Sequence, residues 1–283
     1  MERTPRRVLR ALSNNAVLTR DSGGEIVLVG RGIGFGRQVG DLIDESAIQQ
    51  SYVELDPERV QMINWISSLG PTAADAISRS IDLATDELGE LHPAAYVLLM
   101  DHIAFAVQRA ESGETIENPL LPQIREMFPE EFATAQLLVR DLNEAFTVQL
   151  PDAEAAYIAL HLNAARAGEP VKQPLQRANR LAGIVNDVAR MLSVGDESTL
   201  EVMTHDLVAL HRRLNTTQPR GNDVAAVIRR MLGPDYEIAA HILTRLLGEK
   251  SVPRAFEGEA AYLAVQVHGW RMERQSPSGK ETR

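Results

Sequence analysis

The segment Glu154-Ala155-Ala156-Tyr157-Ile158-Ala159-Leu160-His161-Leu162 returns 105 residues later as Glu259-Ala260-Ala261-Tyr262-Leu263-Ala264-Val265-Gln266-Val267. Five of the nine positions are identical, and the apolar positions change only among aliphatic residues. Two more blocks repeat in the same order at nearly the same spacing, since residues 100–109 resemble 203–212 and residues 130–135 resemble 234–239. These repeats predict a duplicated helical module of about a hundred residues, which is too long for a solenoid repeat and indicates two tandem domains.

Residues 8–55 have a different pattern, made of β-favouring runs and turns. Ala16-Val17-Leu18-Thr19 and Glu25-Ile26-Val27-Leu28-Val29 predict strands, and Asp21-Ser22-Gly23-Gly24 between them is typical of a tight hairpin turn. The glycines of Gly30-Arg31-Gly32-Ile33-Gly34-Phe35-Gly36 predict a loop whose backbone approaches a ligand closely. Ser51-Tyr52-Val53-Glu54-Leu55 is a candidate last strand. A sheet of about fifty residues is near the lower limit for independent stability, so we expect dimerisation.

The pattern becomes helical from Asp56-Pro57-Glu58, which supplies an N-cap and a proline in the first turn. Asn118-Pro119 and Leu121-Pro122 predict a loop. Further helices are predicted near residues 93–110, 130–147, 152–166, 174–193, 196–213, 222–231, 234–248 and 257–274. The expected fold is multidomain, with a small antiparallel all-β N-terminal domain followed by two tandem all-α helical-bundle domains. The predicted boundaries are 1–55 for the β domain, 56–66 for a linker, and 67–169 and 170–283 for the two bundles.

Composition limits the possible functions. The chain of 283 residues is 44% hydrophobic and 24% charged, which is typical of a folded protein. It contains no Cys, which excludes disulfides, thiolate zinc sites and a Cys nucleophile. No apolar run approaches the roughly 20 residues of a membrane helix, and the start lacks a signal-peptide pattern, so we expect a cytoplasmic protein without membrane insertion. The net charge is −10, but residues 1–40 carry seven Arg against three acids, a basic segment compatible with nucleic-acid binding.

Histidines recur within the duplicated frame. His102 and His161 belong to the first copy, and the second copy has His205 and, at the fourth position, Gln266. A single His on a helix is usually structural, but recurrence in a repeat favours a functional role, such as carrying a phosphoryl group. These histidines lack an i,i+4 His partner and an H-E-x-x-H pattern, so we expect no metal site. The sequence also lacks nucleotide-binding and nucleophile motifs, and we expect neither a cofactor nor an enzyme.

The chain resembles the BglG/SacY-type transcriptional antiterminators over about residues 8–274. The N-terminal likeness is carried by Ser13-Asn14-Asn15-Ala16-Val17, Val29-Gly30-Arg31-Gly32-Ile33-Gly34-Phe35 and Gly40-Asp41. The helical likeness is carried by Asp101-His102-Ile103, Asn118-Pro119-Leu120-Leu121, Pro129-Glu130-Glu131-Phe132, Tyr157-Ile158-Ala159-Leu160-His161, Thr204-His205 and Tyr262-Leu263. Members of this family join an RNA-binding co-antiterminator domain to two phosphotransferase-system regulation domains.

The resemblance implies that a homodimer holds a hairpin in the leader mRNA of a sugar-utilisation operon. The bound RNA cannot refold into the overlapping terminator, so transcription continues. The implied RNA-binding residues are Arg10, Asn14, Asn15, Gly30, Arg31 and Phe35. Asn amides suit exposed base edges, Phe suits base stacking and Arg suits phosphate or a base. Without the resemblance, the same residues would be interpreted as a hairpin with turn asparagines, a core phenylalanine and solvated arginines.

The resemblance also implies control by phosphorylation of His102, His161 and His205. The phosphoryl donors would be the histidine phosphocarrier protein and the sugar permease of the phosphotransferase system. By helical spacing, Arg109, Arg212 and Arg213 are candidate partners of the added charge. The last His of the family aligns with Gln266, which cannot accept a phosphoryl group, and His268 would face another side of the helix.

Two other functions were considered. The first is a DNA-binding transcriptional activator with the same regulation domains, which would need a basic helix-turn-helix before the first module. The strands and glycines found there argue against it. The second is a His-dependent metal hydrolase, which stoichiometric zinc in the purified protein would support.

Overall fold

A computed structural model describes residues 6–21, 24–52, 71–92, 94–216 and 218–273. The chain divides into two compact units, Met1–Gln176 and Arg177–Arg283. Several predicted features lie outside the described residues: the linker 56–66 with its N-cap Asp56-Pro57-Glu58, the turn residues Ser22 and Gly23, and Val53-Glu54-Leu55.

The N-terminal part is a four-stranded antiparallel sheet in the order β1-β2-β3-β4, which confirms the predicted small all-β domain. The strands are β1 (Arg10–Ser13), β2 (Ala16–Asp21), β3 (Gly24–Val29) and β4 (Gln50–Tyr52). Asp21 pairs with Gly24, as expected for a tight hairpin between β2 and β3. A 3-10 helix, Glu45–Ala47, precedes β4.

Both faces of this sheet are buried. A small core lies on one face and contains Val8, Val17, Ile26, Leu28, Ile33 and Ile43. Side chains alternate between the two faces of a strand, and the alternate residues Ala16, Leu18, Val27 and Val29 are buried as well. Burial on both faces explains why β2 and β3 have continuous apolar runs instead of alternating apolar and polar residues.

The first module follows the sheet as a helical bundle. Its helices are α1 (Pro71–Leu88), α2 (Ala94–Glu111), α3 (Leu121–Met127), α4 (Pro129–Phe146) and α5 (Asp152–Ala167). Helix α1 packs against α2 and α4, and α5 packs against α2, α3 and α4. The predicted loop at Leu121-Pro122 is wrong, because these residues begin α3. A proline in the first turn of a helix is tolerated, since its missing N–H would have no partner within the helix.

The second module repeats this succession of two long helices, a short helix and two long helices. It comprises α6 (Lys172–Leu192), α7 (Glu197–Thr216), α8 (Ala225–Met231), α9 (Gly233–Leu247) and α10 (Glu257–Glu273). Helix α9 packs against α10, and α8 contacts both. Two tandem all-α bundles are therefore confirmed. Among the described residues, no helix combines the length and apolar character needed to cross a membrane.

Gly30 lies where a side chain has no room. A Cβ atom added there would come within 1.8 Å of the backbone oxygen of Ala47, in the 3-10 helix. We predict that Gly30→Ala lowers the free energy of unfolding by about 3 kcal/mol, because a backbone contact this close cannot be relieved without moving the chain.

Calorimetry of the full chain measures this effect. The control is Gly195→Ala, at an exposed glycine where an added Cβ would meet nothing within 4 Å. Equal unfolding profiles for the two variants would contradict the proposed packing role of Gly30.

Candidate functional site

The glycine loop, residues 30–36, is fastened to the turn between β1 and β2. The N–H of Gly30 donates to the Asn15 carbonyl at 3.0 Å, and the N–H of Gly34 donates to the Asn14 carbonyl at 2.9 Å. The side-chain Oδ1 of Asn15 accepts from the N–H of Gly32 at 2.9 Å. Turn and loop are therefore held together by both backbone and side-chain hydrogen bonds.

Three of the predicted RNA-binding residues are exposed on this assembly. Asn14 and Arg31 are exposed, and Phe35 keeps 73% of its surface accessible. The backbone N–H of Arg31 is 3.3 Å from Oε1 of Gln49, a positioning contact that the sequence did not reveal. Burying a Phe side chain stabilises a fold by about 1.5–3 kcal/mol. Phe35 lacks most of this stabilisation, and its exposed ring is accessible for a ligand to stack upon.

Other predicted RNA-binding residues have evident structural roles. The backbone of Gly30 approaches Ala47, and a Cβ on Gly34 would come within 2.1 Å of the Ser13 carbonyl oxygen. These contacts account for both glycines without a ligand. Arg10 is half-buried on β1, and burial lowers its pKa. RNA contact by Arg10, Asn15 and Gly30 stays a prediction, as does contact by the exposed Asn14, Arg31 and Phe35.

Helix α1 of the first module contacts the same turn. The backbone N–H of Asn14 donates to Oδ2 of Asp82 at 3.1 Å, and the Ser78 hydroxyl donates to the Leu12 carbonyl. Burial raises the pKa of Asp82, although its hydrogen bond from Asn14 acts in the opposite direction. The sheet and the first module are thus joined beside the candidate RNA-binding surface.

The predicted histidines of the first module lie around a buried carboxylate. Glu154, the third residue of α5, has a side chain only 2% exposed. Its oxygens lie 3.3 Å from Nε2 of His102 and 2.6 Å from Nη2 of Arg109, both on α2. Burial alone would raise the pKa of Glu154, but the hydrogen bonds and charges of His102 and Arg109 outweigh it and the pKa is lowered.

His161 and Tyr157 complete this site, which we call the first glutamate pocket (His102, Arg109, Glu154, Tyr157 and His161). The ring centres of His102 and His161 are 4.9 Å apart, and those of His102 and Tyr157 are 6.1 Å apart. Burial, helped by the neighbouring charge of His102, lowers the pKa of His161 to about 3. His161 is therefore a neutral imidazole near pH 7 and keeps a nitrogen lone pair.

The second module has the corresponding carboxylate with different partners. Glu259 is fully buried and pairs with Arg213 and Arg220, and we call this site the second glutamate pocket (Arg213, Arg220, Glu259 and Tyr262). His205 is exposed on α7. His268 pairs with Asp235 at 2.9 Å and lies away from the repeat position of His161, which Gln266 occupies.

Glu154 and Glu259 are not among the site residues predicted from the sequence, although both repeats have a glutamate at this position. Arg109 and Arg213, predicted as partners of an added phosphoryl group, each pair with a buried glutamate. The described residues contain no cluster of three or more His, Asp or Glu side chains that could hold a metal ion.

The low pKa of His161 makes stability depend on pH. In the unfolded chain this imidazole binds a proton below about pH 6.5, whereas in the folded chain it stays neutral down to about pH 3. Falling pH therefore favours the unfolded state across this window, by up to about 1.4 kcal/mol per pH unit. We predict that His161→Gln removes this loss, so that the variant gains stability relative to the natural chain between pH 7 and pH 5.

Urea unfolding at pH 7, 6 and 5 measures the difference. His92→Gln, at an exposed histidine of the same unit, is the control. A difference between the natural chain and His161→Gln that is the same at all three pH values would contradict a buried neutral imidazole.

Comparison with known proteins finds two domain families in the chain. Residues 7–61 match the CAT RNA binding domain, and residues 81–165 match the PRD domain. The chain is 23% identical over 273 residues to Protein GlcT of Staphylococcus saprophyticus, covering 92% of this chain and 95% of that protein. It is 25% identical over 287 residues to the β-glucoside operon antiterminator of Dickeya chrysanthemi, covering 97% of this chain and 100% of that protein.

Two other matches cover a smaller share of the chain. The transcription antiterminator LicT of Bacillus subtilis is 30% identical over 166 residues, which are 58% of this chain and 60% of that protein. A crystal structure of GlcT CAT-PRDI is 28% identical, with a TM-score of 0.42, and the match covers 57% of this chain and 98% of that one. The relatives are regulators rather than enzymes. The chain belongs to the BglG/SacY-type transcriptional antiterminators, in which an RNA-binding CAT domain precedes PRD domains under control of the sugar phosphotransferase system.

Proposed function

We propose that this antiterminator binds a partly paired hairpin in the leader mRNA of a sugar-utilisation operon through its glycine loop and the turn at Asn14. One observation carries this proposal: the loop and turn are fastened to each other and present Asn14, Arg31 and Phe35 to solvent. A bound hairpin cannot rearrange into the overlapping terminator, so transcription continues into the operon.

The exposed side chains suit unpaired nucleotides. Phe35 offers an aromatic face for one base, and Arg31 offers a cation to phosphate or a base edge. Asn14 carries both an amide donor and an acceptor for a base edge. The functional form is a homodimer, because the small sheet domain is near the lower size limit for independent folding and two copies can hold both sides of a hairpin.

We assign the control of RNA binding by phosphorylation to the first glutamate pocket. The bond between phosphorus and its donor atom on the phosphorylated carrier protein or sugar permease breaks as a new N–P bond forms to an imidazole nitrogen of His102 or His161. The neutral state of His161 keeps a lone pair ready for this attack. The product adds about −1.5 to −2 charge beside Glu154, which repels that buried carboxylate and attracts Arg109.

A packed route connects the pocket with the RNA-binding turn. Helix α2 carries His102 and packs against α1, and α1 carries the Asp82 carboxylate that accepts from Asn14. A change in the packing of α2 therefore reaches the turn through a single intervening helix. The family resemblance also implies phosphorylation of His205, which belongs to neither glutamate pocket.

We predict that Phe35→Ala and Arg31→Ala each weaken RNA binding by roughly tenfold or more, since a base stacked on an aromatic side chain is worth about 1–3 kcal/mol. The probe is an RNA hairpin with a bulge, selected for tight binding to the natural chain from a pool with a randomised internal loop. Dissociation constants are measured at one fixed salt concentration, because phosphate contacts make affinity salt-dependent.

The control is Val39→Ala, which removes another exposed apolar side chain without touching the glycine loop. All three variants are expected to keep the melting temperature of the natural chain. Equal affinity for duplex DNA and for the hairpin, or full RNA affinity in Phe35→Ala, would count against the proposed interface.

A second prediction concerns the phosphoryl acceptor. Incubation with the carrier protein, its kinase and radiolabelled phosphoenolpyruvate is expected to label the natural chain in the first module. Replacing His102 and His161 together by Ala removes this label, because the other side chains of the pocket carry no imidazole. Label that persists in a variant lacking His102, His161 and His205 would refute the assignments.

A further inference from the structure

The two glutamate pockets are built on one plan. Glu154 and Glu259 are each the third residue of the last helix of their module, and each pairs with an arginine from the second helix, Arg109 or Arg213. A tyrosine follows three residues after the glutamate in both copies, at Tyr157 and Tyr262. The second partner of each glutamate is different, and this difference is the basis of the inference.

In the first module the second partner is a histidine. The ring of His102 lies 3.3 Å from Glu154 and 6.1 Å from the centre of the Tyr157 ring. In the second module Arg220 makes the corresponding pair of contacts. Its Nη2 lies 3.1 Å from Glu259, and its guanidinium carbon lies 4.2 Å from the centre of the Tyr262 ring. The Arg220 backbone N–H also donates to Glu259 at 2.8 Å.

The chain makes room for Arg220 with a specific residue. Gly258 precedes Glu259, and a Cβ added to it would lie 2.2 Å from the Arg220 carbonyl oxygen and 2.9 Å from the Asn222 backbone nitrogen. The first module has Ala153 at the corresponding position. The loop that contains Arg220 therefore lies closer to α10 than a side chain at position 258 would allow. This close approach explains why position 258 is a glycine.

The helix that carries His205 shows why this histidine does not take the position of His102. His102 precedes its pocket arginine, Arg109, by seven residues, and the residue seven before Arg213 is Asp206. Asp206 accepts from Nε1 of Trp270 at 3.0 Å. His205, one residue earlier, is turned by about 100° on the helix and is exposed.

We propose that Arg220 permanently occupies in the second module the position that His102 has in the first, and so makes the second module unresponsive to phosphorylation. This inference rests on the proposed phosphorylation of the first pocket. A phosphoryl group moves from a donor nitrogen to an acceptor lone pair, and a guanidinium stays protonated and offers none. With Gln266 in place of the other histidine, the second glutamate pocket holds a fixed charge balance, and phosphorylation acts on the chain through the first module alone.

The test maps phosphorylation on the full chain. The natural protein is labelled with the phosphorylated carrier protein, and the modified peptides are identified by mass spectrometry under conditions that preserve phosphohistidine. We expect label at His102 or His161 and none in residues 177–273, and an Arg220→His variant is expected to gain label in the peptide containing position 220. The control Arg254→His changes an exposed arginine of the same unit and gains none.

Label on His205 in the natural chain, or an Arg220→His variant that folds but gains no label, would overturn the proposal. Absence of label from the first module would instead refute the proposed function. The role of Arg220 in the second glutamate pocket is tested independently by a stability measurement. Arg220→Ala is expected to lower the melting temperature by roughly 5 °C, because it leaves Glu259 with one cation. Arg254→Ala should change it little, and equal effects of the two variants would also overturn the proposal.

Discussion

A buried carboxylate at the start of the last helix organises each helical module. Glu154 and Glu259 are almost completely removed from water, and an ionised carboxylate in that position is tolerated only when cations and hydrogen bonds replace its hydration. The required arginine comes from the second helix of the module in both copies. Each ion pair therefore fixes how two helices lie against each other, and its location at a helix N-terminus adds a favourable contribution from the helix dipole.

The identity of the second partner decides whether this arrangement can change. A histidine nitrogen can accept a phosphoryl group, so modification of the histidine changes the charge beside Glu154. An arginine keeps its proton and its planar set of donors, so the balance around Glu259 is fixed. One duplicated scaffold thus carries two different pockets, and the difference lies in a loop, with Arg220 and its accommodating Gly258, outside the segments that repeat most clearly.

The sequence predicted the architecture well because the relevant signals are local. Apolar spacing and the repeated blocks identify helices and their duplication, and β-branched runs identify β2 and β3. The pockets depend on residues about 45 positions apart, and spacing alone could not choose between Arg212 and Arg213 as the ligand of Glu259. The sequence predicts that Gly30 allows close approach of a ligand, whereas in the structure the backbone of Ala47 approaches it. A close approach by a segment distant in sequence leaves no local pattern that could predict it. Pro122 predicts a loop where the structure has a helix start, because proline suits both loops and first helical turns.

Asp82 lies on a path of direct contacts between the first pocket and the proposed RNA-binding surface. Its carboxylate accepts from the backbone of Asn14, a residue proposed to contact the hairpin, and it lies on a helix packed against the one that carries His102. Linkage is reciprocal: if a phosphoryl group in the pocket shifts α1 relative to the turn, it alters RNA affinity, and bound RNA alters the free energy of the phosphorylated state by the same amount. The turn, Asp82 and the first pocket all belong to the unit Met1–Gln176, so this coupling needs no contribution from the second module.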